Sequence, residues 1–306
     1  MKKIILFLSV LTALSLNGYG QNTPVTAIPF KLANNTILIT CRVNNSADLT
    51  FLFDTGADGM VINKLSLDKL NLTFDTTGLN KGNAGTDTVR VSNNNMLSFG
   101  SLSEINVSFV EIGYQNSNFD GVFGSNIMRK YVIEIDYEKK LMKFFDPKTY
   151  RSKLSGYQKL RLKNLSGLYT VKSSVVIDKR RFRGNFEIDT GGDNALMITT
   201  PFNKKYQFDQ QLKKIAQSTA IGSDGKEVVE PMVLMPKIKI GEMMFYQIPV
   251  DLSFSLDGVS ASERMAGIFG LNFLKRFNTV LDLANEHIYL KPNNLTHTPY
   301  IDFLVK

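Results

Sequence analysis

Two segments of this chain, 121–136 and 267–282, align over sixteen residues without a gap. They read GVFGSNIMRKYVIEID and GIFGLNFLKRFNTVLD. Five positions are identical, and at most of the remaining positions an apolar residue aligns with an apolar one or a basic residue with a basic one. Upstream, an apolar strand pattern ends in Asp-Thr-Gly twice, as FLFDTG at 51–56 and as FEIDTG at 186–191. Because both motifs recur in the same order, the sequence predicts an internal repeat of two similar lobes.

The N-terminus has the pattern of an export signal. Lys2 and Lys3 precede an apolar run of thirteen residues, 4–16, which is too short to span a membrane. We interpret residues 1–20 as a signal peptide, which predicts a periplasmic or extracellular protein. No cysteine lies near the cleavage site, so no stable membrane anchor is expected.

The repeat divides the mature chain into an N-terminal lobe, 21–150, and a C-terminal lobe, 151–306. Period-two alternation and short apolar runs predict a mostly β protein with few helices. We expect a strand over 279–290, the longest helix over 202–215, and a solvated turn at the asparagine run 93–95.

Composition narrows the possible chemistry. The 306 residues include one cysteine, Cys41, and two histidines, His287 and His297, both near the C-terminus. A thiolate zinc site or a Ser-His-Asp triad is therefore not expected, whereas carboxylates are plentiful. The formal net charge of +8 comes from scattered basic residues, and the densest group, 179–183, fits a solvated hairpin tip. A nucleic-acid partner is therefore not expected.

The two Asp-Thr-Gly turns together suggest one reaction. If the lobes pack about a pseudo-twofold axis, Asp54 and Asp189 face each other. Two adjacent carboxylates cannot both ionise, so one pKa is strongly raised and the pair shares a proton. The ionised oxygen can then take a proton from a bound water, while the protonated one donates a hydrogen bond to a carbonyl. This hydrolysis of an amide needs no metal and no cofactor.

In these motifs the chain resembles the retropepsin-like and pepsin-like aspartic proteases, over nearly all of its mature length. The resemblance implies two homologous β-barrel lobes related by a pseudo-twofold axis, with a substrate cleft between them and Asp54 and Asp189 as the catalytic pair. The Gly-apolar-Phe-Gly segments resemble the element that passes behind each catalytic loop and leads into a short helix. The resemblance assigns support of the loops, with interlocking threonines, to Thr55, Gly56, Thr190 and Gly191.

The same family closes a β-hairpin flap over its substrate. Two glycine-rich stretches, 81–89 and 221–228, follow the two aspartates at similar distances and are the candidate flaps. We align them on Gly85 and Gly222. The substrate-binding residues implied by this alignment are Gly85, Thr86, Gly222 and Ser223.

The implied function is that of a secreted aspartic endopeptidase that acts on extended peptides as a monomer. Gly192 departs from the family, in which Ala, Ser or Thr follows the glycine, and this favours an alternative: a catalytically weak or inactive peptide-binding protein with the same fold. A further alternative pairs each lobe with a copy from another chain. A hydrogen bond shared by the two carboxyls supports the protease, whereas a separation beyond about 6 Å favours the alternatives.

Overall fold

The computed structural model describes residues 22–114, 118–151 and 154–300, so the predicted signal peptide, 1–20, lies outside the described residues. No helix within these ranges is long and apolar enough to cross a membrane. The strands of the first half are β1 Thr26–Pro29, β2 Lys31–Ala33, β3 Thr36–Val43, β4 Leu49–Phe53, β5 Met60–Asn63, β6 Thr76–Lys81, β7 Thr86–Phe99, β8 Leu102–Ile112, β9 Gly121–Phe123, β10 Val132–Asp136 and β11 Leu141–Phe145. Those of the second half are β12 Gln158–Leu165, β13 Leu168–Ile177, β14 Arg180–Ile188, β15 Leu196–Ile198, β16 Lys214–Ile221, β17 Glu227–Ile240, β18 Met243–Leu252, β19 Gly267–Phe269, β20 Phe277–Asp282 and β21 His287–Pro292.

The helices are short. The α-helices are α1 Ser125–Met128, α2 Thr200–Tyr206, α3 Phe208–Gln211 and α4 Leu271–Leu274. The 3₁₀ helices are Lys64–Lys69 and Asn294–His297. Helices α1 and α4 directly follow the two Gly-apolar-Phe-Gly segments, where short helices are expected.

Six strands of the first half close into a barrel. Their order is β3-β4-β9-β5-β8-β7, and β7 returns to pair with β3. Strands β4 and β9 are parallel, as are β5 and β8, and the remaining neighbours are antiparallel. The hairpin strand β6 extends from the outer edge of β7.

Six strands of the second half close in the same way. Their order is β13-β14-β19-β15-β18-β17, with β17 returning to β13, and the parallel pairs are β14 with β19 and β15 with β18. Strand β16 extends from β17, as β6 extends from β7. The predicted mostly β fold with two barrel lobes is confirmed.

One antiparallel pair joins the two halves. Strand β10, which follows α1, pairs with β20, which follows α4, and Ile133 lies opposite Leu281. Strands β1 and β11 continue this sheet on one side, and β21 and β12 on the other. Because corresponding strands of the two halves meet at its centre, this sheet presents the two halves to each other in equivalent orientations. The buried apolar cluster is continuous through both halves and contains Phe123 and Phe269.

Three local predictions are wrong. Residues 279–290 form two strands, because the chain turns after β20 with Glu286 in the left-handed region, at φ 56°. Residues 202–215 form two short helices separated by a left-handed Gln207, and the end of this segment pairs as β16 with β17. The asparagines 93–95 lie within β7, where a shift of register against β8 accommodates one extra residue as a bulge.

Candidate active site

Each Asp-Thr-Gly turn begins where a barrel strand ends, against the parallel strand that follows it in the sheet. The backbone amide of Asp54 donates to the carbonyl of Phe123 at 3.1 Å, and that of Asp189 donates to the carbonyl of Phe269 at 3.0 Å. The two Gly-apolar-Phe-Gly segments therefore hold the backbone of the two aspartates from behind.

The last glycine of each of these segments is required by a close approach of backbones. A Cβ at Gly124 would lie 3.1 Å from the carbonyl oxygen of Ala57 and would press on the carbonyl of Gly59. A Cβ at Gly270 would lie 2.9 Å from the carbonyl oxygen of Gly192. Since backbone cannot move aside as a flexible side chain can, a residue with a side chain here would displace the loop.

The threonines of the two turns bind each other's loops. The hydroxyl of Thr55 donates to the carbonyl of Ile188 at 2.6 Å and accepts from the amide of Thr190 at 3.0 Å. The hydroxyl of Thr190 donates to the carbonyl of Phe53 at 2.8 Å and accepts from the amide of Thr55 at 3.1 Å. Both threonines are buried. Four hydrogen bonds shielded from water thus fix the two turns reciprocally.

The carboxyl groups of Asp54 and Asp189 lie side by side and share a side-chain hydrogen bond. The glycine of each turn faces the carboxyl of the other: a Cβ on Gly56 would lie 2.7 Å from Oδ1 of Asp189, and one on Gly191 would lie 2.5 Å from Oδ1 of Asp54. Glycine therefore allows the two loops to close around the pair. One chain brings both carboxyls within reach of a shared proton.

Gly192, which departs from the family pattern, still contributes its backbone amide to the site. The amide of Gly191 donates to Oδ1 of Asp189 at 2.8 Å, and the amide of Gly192 also donates to this carboxyl. The equivalent amides of the first turn donate to Oδ1 of Asp54 at 2.8 and 3.2 Å. The hydrogen bonds around the two carboxyls are therefore alike.

The environment of the pair changes its protonation. Burial raises the pKa of Asp54 well above its ordinary value, and the charge and hydrogen bond of Asp189 raise it further. Burial also raises the pKa of Asp189, whereas the hydrogen bonds from Asp54 and from the backbone amides oppose that rise. The two groups titrate as a unit and hold one proton between them over a range of pH in which isolated aspartates are ionised.

Both candidate flap stretches are β-hairpins, β6–β7 and β16–β17. The turn of the first has four residues, 82–85, and that of the second has five, 222–226. Gly222 therefore corresponds to Gly82, and its alignment with Gly85 is wrong. The sequence did not predict this offset because glycine occurs at both ends of the first turn.

The tips of the two hairpins meet. The amide of Ala84 donates to Oδ2 of Asp224 at 2.7 Å, and the side-chain amide of Asn80 donates to the carbonyl of Ser223 at 3.1 Å. The first tip also contacts the second lobe through the carbonyl of Gly82, which accepts from the amide of Val259 at 3.1 Å. Of the predicted substrate-binding residues, the structure thus places Gly85, Thr86, Gly222 and Ser223 at or beside two joined hairpin tips.

Two side chains near the aspartates were not predicted from the sequence. Glu187 lies two residues before Asp189 in β14, is 2 % exposed, and its Oε2 has no hydrogen-bond partner among the described residues. Burial, and then the charges of Asp189 and Asp54, raises the pKa of Glu187 well above its ordinary value. Tyr114 follows β8, and its pKa is raised by burial and by the charge of Asp54. A signal for Glu187 was present, since FEID has a glutamate where FLFD has a leucine.

Comparison with known proteins agrees with this geometry. Residues 39–127, which include the first Asp-Thr-Gly turn, match the family model described as aspartyl protease. The aspartic proteinase from Irpex lacteus superposes on the structure with a TM-score of 0.58 at 15 % identity, covering 89 % of this chain and 98 % of that one. At this identity the structural likeness establishes the fold alone. No curated protein matches the sequence significantly. The resemblance to aspartic proteases is confirmed, by sequence in the first lobe and by fold over most of the chain.

Proposed function

We propose that the protein is an aspartic endopeptidase that hydrolyses peptide bonds with a water activated between Asp54 and Asp189. The observation that carries this proposal is the hydrogen bond shared by the two carboxyls within two reciprocally locked turns. The family match of the first lobe and the fold of the whole chain support a peptidase at the coarser level.

The reaction follows from the single shared proton. The ionised carboxyl accepts a proton from the water as its oxygen attacks the scissile carbonyl carbon, and the protonated carboxyl of the pair donates a hydrogen bond to the carbonyl oxygen. The backbone amides around Asp54 and Asp189 stay fixed during these transfers, so little reorganisation is needed as charge moves from one carboxyl to the other. The pair can then return a proton to the leaving amine, without a covalent intermediate.

The substrate proposed is an extended peptide in the cleft between the lobes, held as an added strand through its backbone. The hairpin tips, which include Gly85, Thr86, Gly222 and Ser223, would cover it, so the contacts between them must open for the peptide to enter. We further propose that the two lobes are copies of one unit, that residues 1–20 direct export to the periplasm or the exterior, and that the mature protein acts as a monomer without a cofactor.

Cleavage of a denatured protein between pH 3 and pH 8, with and without pepstatin, tests the function. We expect wild-type protein to cleave, pepstatin to inhibit, and Asp54→Asn and Asp189→Asn each to reduce the rate at least about a thousandfold, because either change removes the shared-proton arrangement. A matched control is Asp209→Asn, an exposed residue of α3, which should retain the wild-type rate.

The results of this assay separate the candidates. If one aspartate variant keeps its activity, the assignment of the pair is wrong. If the wild-type protein cleaves nothing yet binds extended peptides, the non-catalytic peptide-binding alternative replaces the protease.

A further inference from the structure

The side chains around the two aspartates differ sharply between the lobes. In the first barrel, one row of directly paired residues crosses five strands, β3-β4-β9-β5-β8, on the face that carries Asp54. Its members are aliphatic throughout, namely Leu38, Leu52, Val122, Val61 and Val110. Ala57 of the catalytic turn and Tyr114, whose pKa responds to the charge of Asp54, pack on the same apolar cluster. This cluster therefore forms an apolar wall beside the aspartate of the first lobe.

The corresponding row of the second barrel is partly acidic. It crosses β13-β14-β19-β15-β18 through the same pairings, and its members are Thr170, Glu187, Ile268, Met197 and Asp251. Glu187 occupies the position of Leu52, and Asp251 occupies that of Val110. Since residues two apart in a strand share a face, Glu187 lies on the same face as Asp189.

A third carboxylate, Glu230, extends this acidic face. It lies two residues before Met232, which is paired with Asp251, and so shares the face of Asp251. The charge of Glu230 is among the causes that raise the pKa of Asp251 to about 7, after burial. We call the face formed by Glu187, Glu230 and Asp251 the acidic wall.

The carboxylates of the acidic wall are buried and lack a cationic partner. Glu187, Glu230 and Asp251 are 2 %, 6 % and 6 % exposed, and no lysine or arginine among the described residues forms an ion pair with them. Oε2 of Glu187 and Oε1 of Glu230 have no hydrogen-bond partner in that part of the chain. Burial favours the neutral form of these carboxyls, and serine hydroxyls are the hydrogen-bond donors to Asp251 and Glu230. A cation that arrives beside such a carboxyl stabilises its ionised form and replaces the proton.

A metal ion does not fit this wall. No group of three or more His, Cys, Asp or Glu residues in the described ranges is arranged to hold one. The sheet order gives the reason, because two strands, β19 and β15, lie between the strand of Glu187 and that of Asp251. A cation carried on a flexible chain can reach a single carboxylate of the wall, so the chemistry suits a lysine or arginine side chain.

We propose that the acidic wall selects a lysine or arginine on one side of the scissile bond, with Glu187 as its ion-pair partner, while the apolar wall selects an aliphatic or aromatic residue on the other side. This inference rests on the proposed peptidase function and names its substrate class. Glu187 lies closest to the aspartates and defines the residue adjacent to the cleaved bond. Glu230 and Asp251 favour a second basic residue farther along the peptide.

The first experiment identifies the cleavage sites that the wild-type protein makes in a denatured protein, by mass spectrometry. Lysine and arginine should be enriched on one side of the cleaved bond and apolar residues on the other. Peptides with lysine or norleucine at the enriched position then give a ratio of kcat/KM values, which cancels any common effect on the aspartate pair. We expect lysine to be favoured at least roughly thirtyfold, because a buried ion pair loses one partner in the norleucine peptide.

The variants Glu187→Leu and Glu187→Gln test the residue itself. Glu187→Leu copies the residue at the equivalent position of the first lobe, Leu52, and should bring the lysine-to-norleucine ratio to one or below. Glu187→Gln keeps the size of the side chain but loses its charge, and should reduce the ratio by a similar factor. The matched control is Glu242→Gln, in the exposed turn between β17 and β18, which should keep the wild-type ratio. A ratio that does not respond to either variant at Glu187 overturns the proposal.

A binding measurement keeps this inference separable from the peptidase proposal. In the Asp54→Asn variant, dissociation constants are measured for extended decapeptides that carry one lysine or one norleucine at successive positions. Tighter binding of lysine at one position, abolished by adding Glu187→Leu, supports the acidic wall even if no cleavage is ever found. Equal binding of both series overturns it, even if the wild-type protein cleaves peptides well.

Discussion

The turns that carry the aspartates are nearly the same in the two lobes, whereas the sheet faces beside them are not. Each aspartate accepts hydrogen bonds from two backbone amides of its own turn, and each threonine binds the backbone of the opposite turn. The donors and acceptors around the carboxyls are backbone atoms or threonine hydroxyls that the two turns have in common. Two residues before each aspartate, in the strand that leads into the turn, a leucine of the first lobe is replaced by a glutamate in the second.

The difference between the turns and the walls reflects two requirements, one imposed by the shared proton and the other by the peptide substrate. A pair that shares one proton between equivalent carboxyls needs similar hydrogen bonds on both sides, which constrains the two turns to match. A peptide has a direction and is not symmetric, so the walls that contact its two halves are free to differ. On this view the similarity of the turns serves the chemistry, and the contrast between the apolar and the acidic wall serves selection of the substrate.

The largest effect on activity is expected when the glycine of either Asp-Thr-Gly turn is replaced by alanine. In Gly191→Ala the new methyl would press on the carboxyl of Asp54, and in Gly56→Ala it would press on that of Asp189. Each change should move a carboxyl by a large fraction of an ångström and reduce kcat at least about a hundredfold. Steady-state kinetics on one peptide would measure both losses.

The control for these glycines is Gly113→Ala, because a Cβ at Gly113 has no neighbour within 4 Å among the described residues, apart from the residues next to it in the chain. It should leave kcat and KM unchanged. If Gly191→Ala were harmless while Gly56→Ala abolished activity, the two turns would not be equivalent in function, and the comparison between them would fail.

The second expected effect is a dependence of folding stability on pH that comes from the acidic wall and has no counterpart in the apolar wall. Burial raises the pKa of Asp251 to about 7, with smaller contributions from the charges of Glu230 and Asp193, against the hydrogen bond from Ser218. A raised pKa means that the folded protein binds this proton more tightly than the unfolded chain does. The stabilisation is therefore complete below about pH 4, the range of an unperturbed aspartate, and is lost as the pH rises towards 7.

The unfolding free energy should accordingly fall by about 3 kcal/mol between pH 5 and pH 8 on account of Asp251 alone. Denaturant unfolding at the two values would measure this difference. Asp251→Asn retains an acceptor for the hydroxyl of Ser218, which lies 2.7 Å from Oδ1, and should flatten the dependence by that amount. Asp209→Asn, at an exposed site, should leave the slope as it is. An unchanged slope in Asp251→Asn would show that this carboxyl does not gain a proton on folding.

The sequence predicted the parts of this structure that local motifs specify. The two aspartates, their strands and the segments behind them could be located because similar motifs occur in the same order in both halves of the sequence. The break at Gln207 and the strand β16 could not be, since one depends on a left-handed residue and the other on pairing with a distant strand. Glu187 was missed for a different reason: one charge in an apolar strand has meaning only once the register places it beside the aspartates.

The smallest effect concerns Thr55 and Thr190, whose mutual dependence can be measured as a coupling in the unfolding free energy. Thr55→Val and Thr190→Val each remove a buried hydroxyl that both donates and accepts, and should each lower the unfolding free energy by roughly 1–3 kcal/mol. Because each hydroxyl accepts from the amide of the other threonine, the double variant should differ from the sum of the single losses by about 0.5–3 kcal/mol, as residues in one hydrogen-bond network do. Denaturant unfolding of the four proteins measures this coupling, with Thr40→Val in the exposed part of β3 as the control. Strictly additive losses would mean that the two threonines stabilise the turns independently. Unequal single losses would mean that one threonine contributes more to stability than the other, although the two make equivalent hydrogen bonds.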